Sequence, residues 1–106
     1  MANSPPSNCS NWQAVHHRVI GKPQVLEVSG ECEFPSSGYK VALRRAMPQG
    51  INPAILVLEK VVTPPAGPSS DVMSKISVKY SEQTSSKYTS VQILPEGNQI
   101  EVREVF

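Results

Sequence analysis

Residues 54–62 read Ala-Ile-Leu-Val-Leu-Glu-Lys-Val-Val, the longest apolar run in the chain. In an extended backbone Ile55, Val57 and Glu59 point one way and Leu56, Leu58 and Lys60 the other, so both faces are apolar until the charged pair arrives. Asn52-Pro53 precedes the run and Pro64-Pro65 stops it. It is too short and too rich in branched residues for a helix. It is expected to be an interior strand, and such a strand needs a layer of structure on each side to cover it.

The rest of the chain supplies short alternating segments. Residues 12–20 place Trp12, Ala14 and His16 on one side and read as a first, edge strand, broken by Gly21-Lys22-Pro23. Residues 25–34 alternate more clearly, with Leu26, Val28, Gly30 and Cys32 on one face and Glu27, Ser29, Glu31 and Glu33 opposite. Gly30 in mid-strand suggests a bulge or a close backbone approach. Residues 39–44 form a third strand, and the loop 47–53, with a proline near each end, joins it to the interior strand as a hairpin neighbour. Residues 64–71 form a crossing segment. Lys75 and Lys79 then share one face of a strand over 75–80, the pattern of a protected sheet edge, and 81–87 is a hydrophilic loop. Residues 88–94 and 99–105 make a hairpin closed by 95–98, with Val91 and Ile93 meeting Ile100 and Val102.

No amphipathic helix is present. The pattern predicts an all-β, two-sheet immunoglobulin-like β-sandwich of about seven antiparallel strands, with a small barrel as the alternative. Residues 1–11, polar and proline-bearing, are expected to form a disordered tail, and 12–106 a single domain.

The 106 residues carry a net charge of +1, and residues 1–53 and 54–106 hold five basic and three acidic, and five and six, respectively. No basic face is concentrated enough for nucleic acid, and 6 % aromatic residues supply no base-stacking platform. No apolar stretch is long enough to span a membrane. The first residues lack the pattern of a secretory signal, and Met1 favours the cytoplasm, with the periplasm or secretion open if a signal has been trimmed. Cys9 and Cys32 show neither a Cys-x-x-Cys pair nor a zinc spacing. With Cys9 in the tail, both are expected as free thiols, a bridge pinning the tail being the alternative.

Groupings that could do chemistry are sparse. His16 and His17, adjacent on a strand, point to opposite faces and are expected to be partly exposed rather than metal ligands. A serine, either histidine and Asp71 could be assembled into a triad, but no nucleophile elbow supports it. Glu31 with Glu33, and Arg44 with Arg45, read as solvated strand positions. Glycines are scattered singly, so nothing cradles phosphate. No catalysis and no cofactor are expected.

Four short segments, Gly38-Tyr39-Lys40-Val41, Ile55-Leu56-Val57-Leu58, Thr63-Pro64-Pro65-Ala66-Gly67 and Lys75-Ile76-Ser77-Val78, together resemble the small bacterial domain at the C-terminus of PrcB-type protease-complex lipoproteins. The chain departs from that pattern in its long N-terminal tail and in lacking a lipoprotein signal. The resemblance implies a non-catalytic β-sandwich that binds protein, and it transfers no individual functional residue.

The expected function is therefore protein binding by a non-enzymatic domain, through an unknown protein partner. Met47, Pro48 and Ile51 in the 47–53 loop are the candidate contacts. Trp12 is either a plug over one end of the core or a further anchor. A more specific alternative has the loop docking as in a protease inhibitor, with Met47 or Ile51 filling a pocket. A small-molecule or carbohydrate module, using Tyr39, Tyr80 and Tyr88 on a sheet face, is the third.

Overall fold

Seven strands account for the regular structure of the computed structural model, which describes residues 8–67, 72–94 and 96–106. They are β1 (Asn8–His17), β2 (Val25–Phe34), β3 (Lys40–Arg45), β4 (Ile55–Thr63), β5 (Ser74–Gln83), β6 (Ser90–Leu94) and β7 (Asn98–Val105). Their order in the sheet is β3-β4-β6-β7-β1-β2-β5. The two outermost strands, β3 and β5, lie against each other without a ladder between them. The sheet thus curls into a nearly closed, flattened barrel measuring 48 × 29 × 20 Å.

The all-β expectation holds, but the strands are not all antiparallel. β1 and β7 pair in parallel, as do β4 and β6. The cause lies in two connections. The 84–89 segment crosses one end of the barrel, so β6 starts beside the start of β4 and runs with it. β7 serves both halves of the sheet: its first residues pair with β6, and from Val102 onward it runs beside β1. The hairpin register follows from this. Val91 faces Ile100 as expected, whereas Val102 faces Ala14 and Ile93 faces Asn98.

The inward side chains form one core. β2 contributes Leu26, Val28, Cys32 and Phe34, β4 contributes Leu56 and Leu58, and β6 contributes Val91 and Ile93. β4 is buried on both faces over Leu56–Leu58, as its apolar run requires. Gly30 is the close approach anticipated: a Cβ there would collide with the Trp12 ring, nearest at its Cε3. Trp12 is half-buried against the core.

Several expectations need correction. β1 begins at Asn8, inside the segment expected as a tail, and it is an interior strand between β7 and β2, not an edge. That extension brings Cys9 opposite Cys32, and the two form a disulfide instead of free thiols. His16 is fully buried, because it shares the inward face with Ala14. Lys60 does not end the burial of β4; its side chain continues the inward row of Leu56 and Leu58 and is 3 % exposed. Lys75 and Lys79 lie on β5, at the end of the strand order as expected.

Strand direction sorts the connections by end. The loops 18–24, 46–54 and 84–89 and the C-terminal end of β7 share one end of the barrel. The disulfide, the β2–β3 turn and the β6–β7 turn share the other.

Candidate functional site

The loop end concentrates exposed apolar surface. Of the eight large hydrophobic side chains exposed among the described residues, six sit there: Val19, Ile20, Met47, Ile51, Val105 and Phe106. Ile20, Met47 and Ile51 are the most prominent, at 97 %, 87 % and 104 %. Each belongs to a loop whose ends are tied by strands, so the side chains project without any local core to join.

The 46–54 loop is held from within. The Ala46 N–H donates to the Val57 carbonyl (3.0 Å), prolonging the β3–β4 pairing by one bond. The Gln49 side chain then acts as a substitute strand: its amide nitrogen donates to the carbonyls of Ala46 and Val57, and its amide oxygen accepts from the Val57 N–H. Asn52 closes the far side by accepting from the Ala54 N–H at 3.0 Å, an Asx turn. The Ala54 carbonyl accepts from the Thr89 N–H (2.8 Å), which moors the 84–89 loop beside it. A loop braced in this way presents Met47 and Ile51 with little left to lose on docking.

Between these two loops lies a concavity of about 430 Å³ walled by Arg45, Gln49, Ile51, Pro53, Ile55 and Tyr88. Arg45 donates to both oxygens of Glu82 (3.1 Å each) and to the Tyr88 hydroxyl (3.4 Å). It thereby links β3 to β5 across the seam that no ladder closes. The Tyr88 hydroxyl and the Glu82 carboxylate raise the Arg45 pKa further. Glu82 also accepts from the Tyr80 hydroxyl at 2.7 Å, and burial together with that bond pushes Tyr80 up to about 12.

Carboxylates at this end have basic side chains as partners. Glu27 pairs with His17, Glu82 with Arg45 and Glu104 with Arg18. Lys22 and Lys87, in the 18–24 and 84–89 loops, have no carboxylate partner among the described residues. The end is therefore apolar at its tips and cationic between them.

The structure brings Met47, Pro48 and Ile51 together on one exposed loop, whereas Trp12 lies inside the barrel wall and shares no concavity with them. His17 faces Glu27 outside and His16 Nε2 donates to the Thr84 carbonyl (3.0 Å) inside, so the histidines diverge as strand alternation demands. Asp71 lies outside the described residues. No group of three or more His, Cys, Asp or Glu side chains among the described residues could hold a metal ion. The three tyrosines are half-buried and pack against the core, Tyr39 stacked on Phe34 at 4.4 Å, and they form no exposed sheet-face cluster.

Sequence reasoning missed Ile20, read as the last residue of a strand, and Gln49, read as a loop residue. Ile20 did carry a signal: it is an apolar side chain directly before Gly21-Lys22-Pro23, a turn. Gln49 carried none, since an amide that bonds to backbone three and eight residues away looks like any polar loop residue. No protein-family model, curated protein or solved structure matches the chain.

Proposed function

We propose that this domain is a non-catalytic β module that contacts another protein through its loop end, with Ile20, Met47 and Ile51 as the inserted side chains. The observation that carries the reading is the segregation of exposed apolar residues to the end where the braced 46–54 loop projects. Projecting tips suit a concave apolar partner surface, and Lys22 and Lys87 suit one rimmed by carboxylates. Two lysines fall short of the roughly four to eight cations that anionic membrane surfaces recruit. The resemblance to the PrcB-type protein-binding domain, and the kinship with immunoglobulin-like sandwiches in presenting loops at one end of a flattened two-layer body, belong to the same reading.

Site-specific photo-crosslinking tests it. A photoreactive residue at position 51 is expected to capture a discrete partner that unlabelled wild-type protein competes away and an Ile20→Asp, Met47→Asp, Ile51→Asp triple variant does not. Equal capture from position 79 on β5 would reject it.

A second reading, docking as a protease inhibitor through residues 47–53, is favoured by one feature, the Gln49 brace, which would hold the loop's shape inside a peptidase cleft. Inhibition of a peptidase that Met47→Ala and Ile51→Ala variants weaken would support it. Inhibition indifferent to both changes would remove it.

A further inference from the structure

At the end of the barrel opposite the loops, a buried cation touches the disulfide. Lys60 Nζ lies 3.4 Å from Cys9 Sγ, and the Lys60 side chain is 3 % exposed. Its second partner is the Glu96 carboxylate, on the β6–β7 turn. Burial pushes Glu96 up, but the Lys60 bond, a backbone bond and the Lys60 charge together hold it below the usual carboxylate range. The two sulfurs differ: Cys32 is fully buried in the apolar core, whereas Cys9 is only half-buried and faces the ammonium. The segment that carries Cys9 is also the least supported part of β1. A register break separates Asn8–Ser10 from the rest of the β1–β2 ladder, Asn11 has a positive φ of 57°, and pairing with β7 starts only at Ala14.

We infer that Cys9, Cys32 and Lys60 form a thiol–disulfide exchange site that takes a dithiol reductant, with Cys9 as the sulfur that is attacked and, after reduction, held as a thiolate by Lys60. Cys32 has no surface to offer, so a reductant thiolate attacks Cys9 Sγ. A bond forms between the reductant sulfur and Cys9 while the Cys9–Cys32 bond breaks. Cys32 leaves with the bonding pair and takes one proton, ending as a neutral thiol in the core. The second reductant thiolate then attacks its own first sulfur, the mixed disulfide breaks, and Cys9 leaves as a thiolate beside the Lys60 ammonium. Two electrons pass from the dithiol, which becomes a cyclic disulfide, to the protein. Of the two protons the dithiol gives up, one stays on Cys32 and the other goes to solvent.

That proton count sets the site apart from a purely structural bridge. A thiolate is favoured by a neighbouring ammonium, and its pKa falls below the ordinary thiol value of about 8.5. The groups facing Cys9 are Lys60 from β4 and Glu96 from the β6–β7 turn; Glu31 and Glu33 of β2 point to the other face, where Lys75 of β5 meets them. The ammonium lies against Cys9 Sγ, and the carboxylate bonded to that ammonium opposes it in part.

The test is equilibration of the native protein with reduced and oxidised dithiothreitol, read by acid quench and thiol alkylation, with circular dichroism confirming that the fold persists. In the wild type the exchange constant should rise close to tenfold from pH 7 to pH 8, because one proton is released per reduction. In Lys60→Met it should stay within about twofold over the same window, because Cys9 then keeps its proton. Glu96→Gln, which leaves Lys60 in place and removes its competing anion, should raise the constant several-fold at pH 7. A wild-type constant as flat as that of Lys60→Met, a Glu96→Gln constant no higher than wild type, or reduction only under denaturing conditions would each overturn the inference.

Discussion

Gln49 pairs with both sides of Val57: the Val57 N–H donates to Gln49 Oε1 at 2.9 Å, and Gln49 Nε2 donates to the Val57 carbonyl at 2.8 Å. A side chain has thus taken the place of a strand residue, continuing the β3–β4 ladder past its last backbone pair, Arg45–Leu58. Val57 is itself nearly fully buried, so its N–H has no ready substitute partner. Gln49→Ala should therefore cost about 1–3 kcal/mol, the penalty for stranding a buried polar group. Denaturant unfolding measures it, and hydrogen exchange should show Val57 losing protection while Val28 in β2 keeps its own. Glu at position 49 would accept from the Val57 N–H but set an acceptor against two carbonyls, so Gln49→Glu should recover only part of the loss.

Met47→Asp and Ile51→Asp should leave stability within about 0.5 kcal/mol of wild type, because neither side chain has a neighbour to lose. Loss of partner capture at unchanged melting temperature is the expected pair of results. A drop in melting temperature would mean that these side chains support the fold.

How far the sequence could be read depended on the range of the interaction. β2 was legible residue by residue, since strict alternation of apolar and charged positions leaves one face for the core. β4 was legible in its first half, where both faces are apolar. Lys60 was not, because its burial is made possible by Glu96, thirty-six residues away on a turn. Cys9 was not, because its place opposite Cys32 depends on β1 running on through a polar, proline-preceded stretch that has no strand signal of its own. The parallel pairings were hidden for a similar reason: they arise from where the 84–89 crossing and the long β7 deliver the chain, and local alternation is the same in parallel and antiparallel strands. Of the interaction residues, Met47, Pro48 and Ile51 could be picked out because prolines frame the loop, while the brace that stiffens it is a tertiary contact.

Gly30 and Trp12 make a paired test of packing. Gly30→Ala puts a methyl group where the indole ring lies, and the ring must shift or β1 must lift. A loss of about 1–3 kcal/mol is expected, the range for overpacking a close-packed site. The Trp12 emission, the sole tryptophan signal, should move to longer wavelength as the ring leaves its seat. Gly21→Ala is the control. Gly21 has a positive φ of 81° and open space around it, so backbone strain alone should cost about 1 kcal/mol without changing the tryptophan spectrum.

Tyr80 gives the fold an alkaline limit whose direction can be worked out. Burial and the bond to Glu82 favour the neutral phenol, and its pKa in the folded protein stands at about 12, above the ordinary value of 10.0. Between those two values the unfolded chain has already lost the phenolic proton while the folded protein still holds it. Folded protein then binds more protons than unfolded, so stability must fall as pH rises through this window. The contribution is fully present below pH 10 and disappears toward pH 12; because the ring is partly solvent-exposed, it amounts to about 1 kcal/mol. Urea unfolding between pH 9 and pH 12 should show this decline in the wild type. Tyr80→Phe keeps the ring, removes the titrating hydroxyl and leaves Glu82 to Arg45, so its stability should vary less across the same range. An unchanged slope in Tyr80→Phe would assign the alkaline loss to another group.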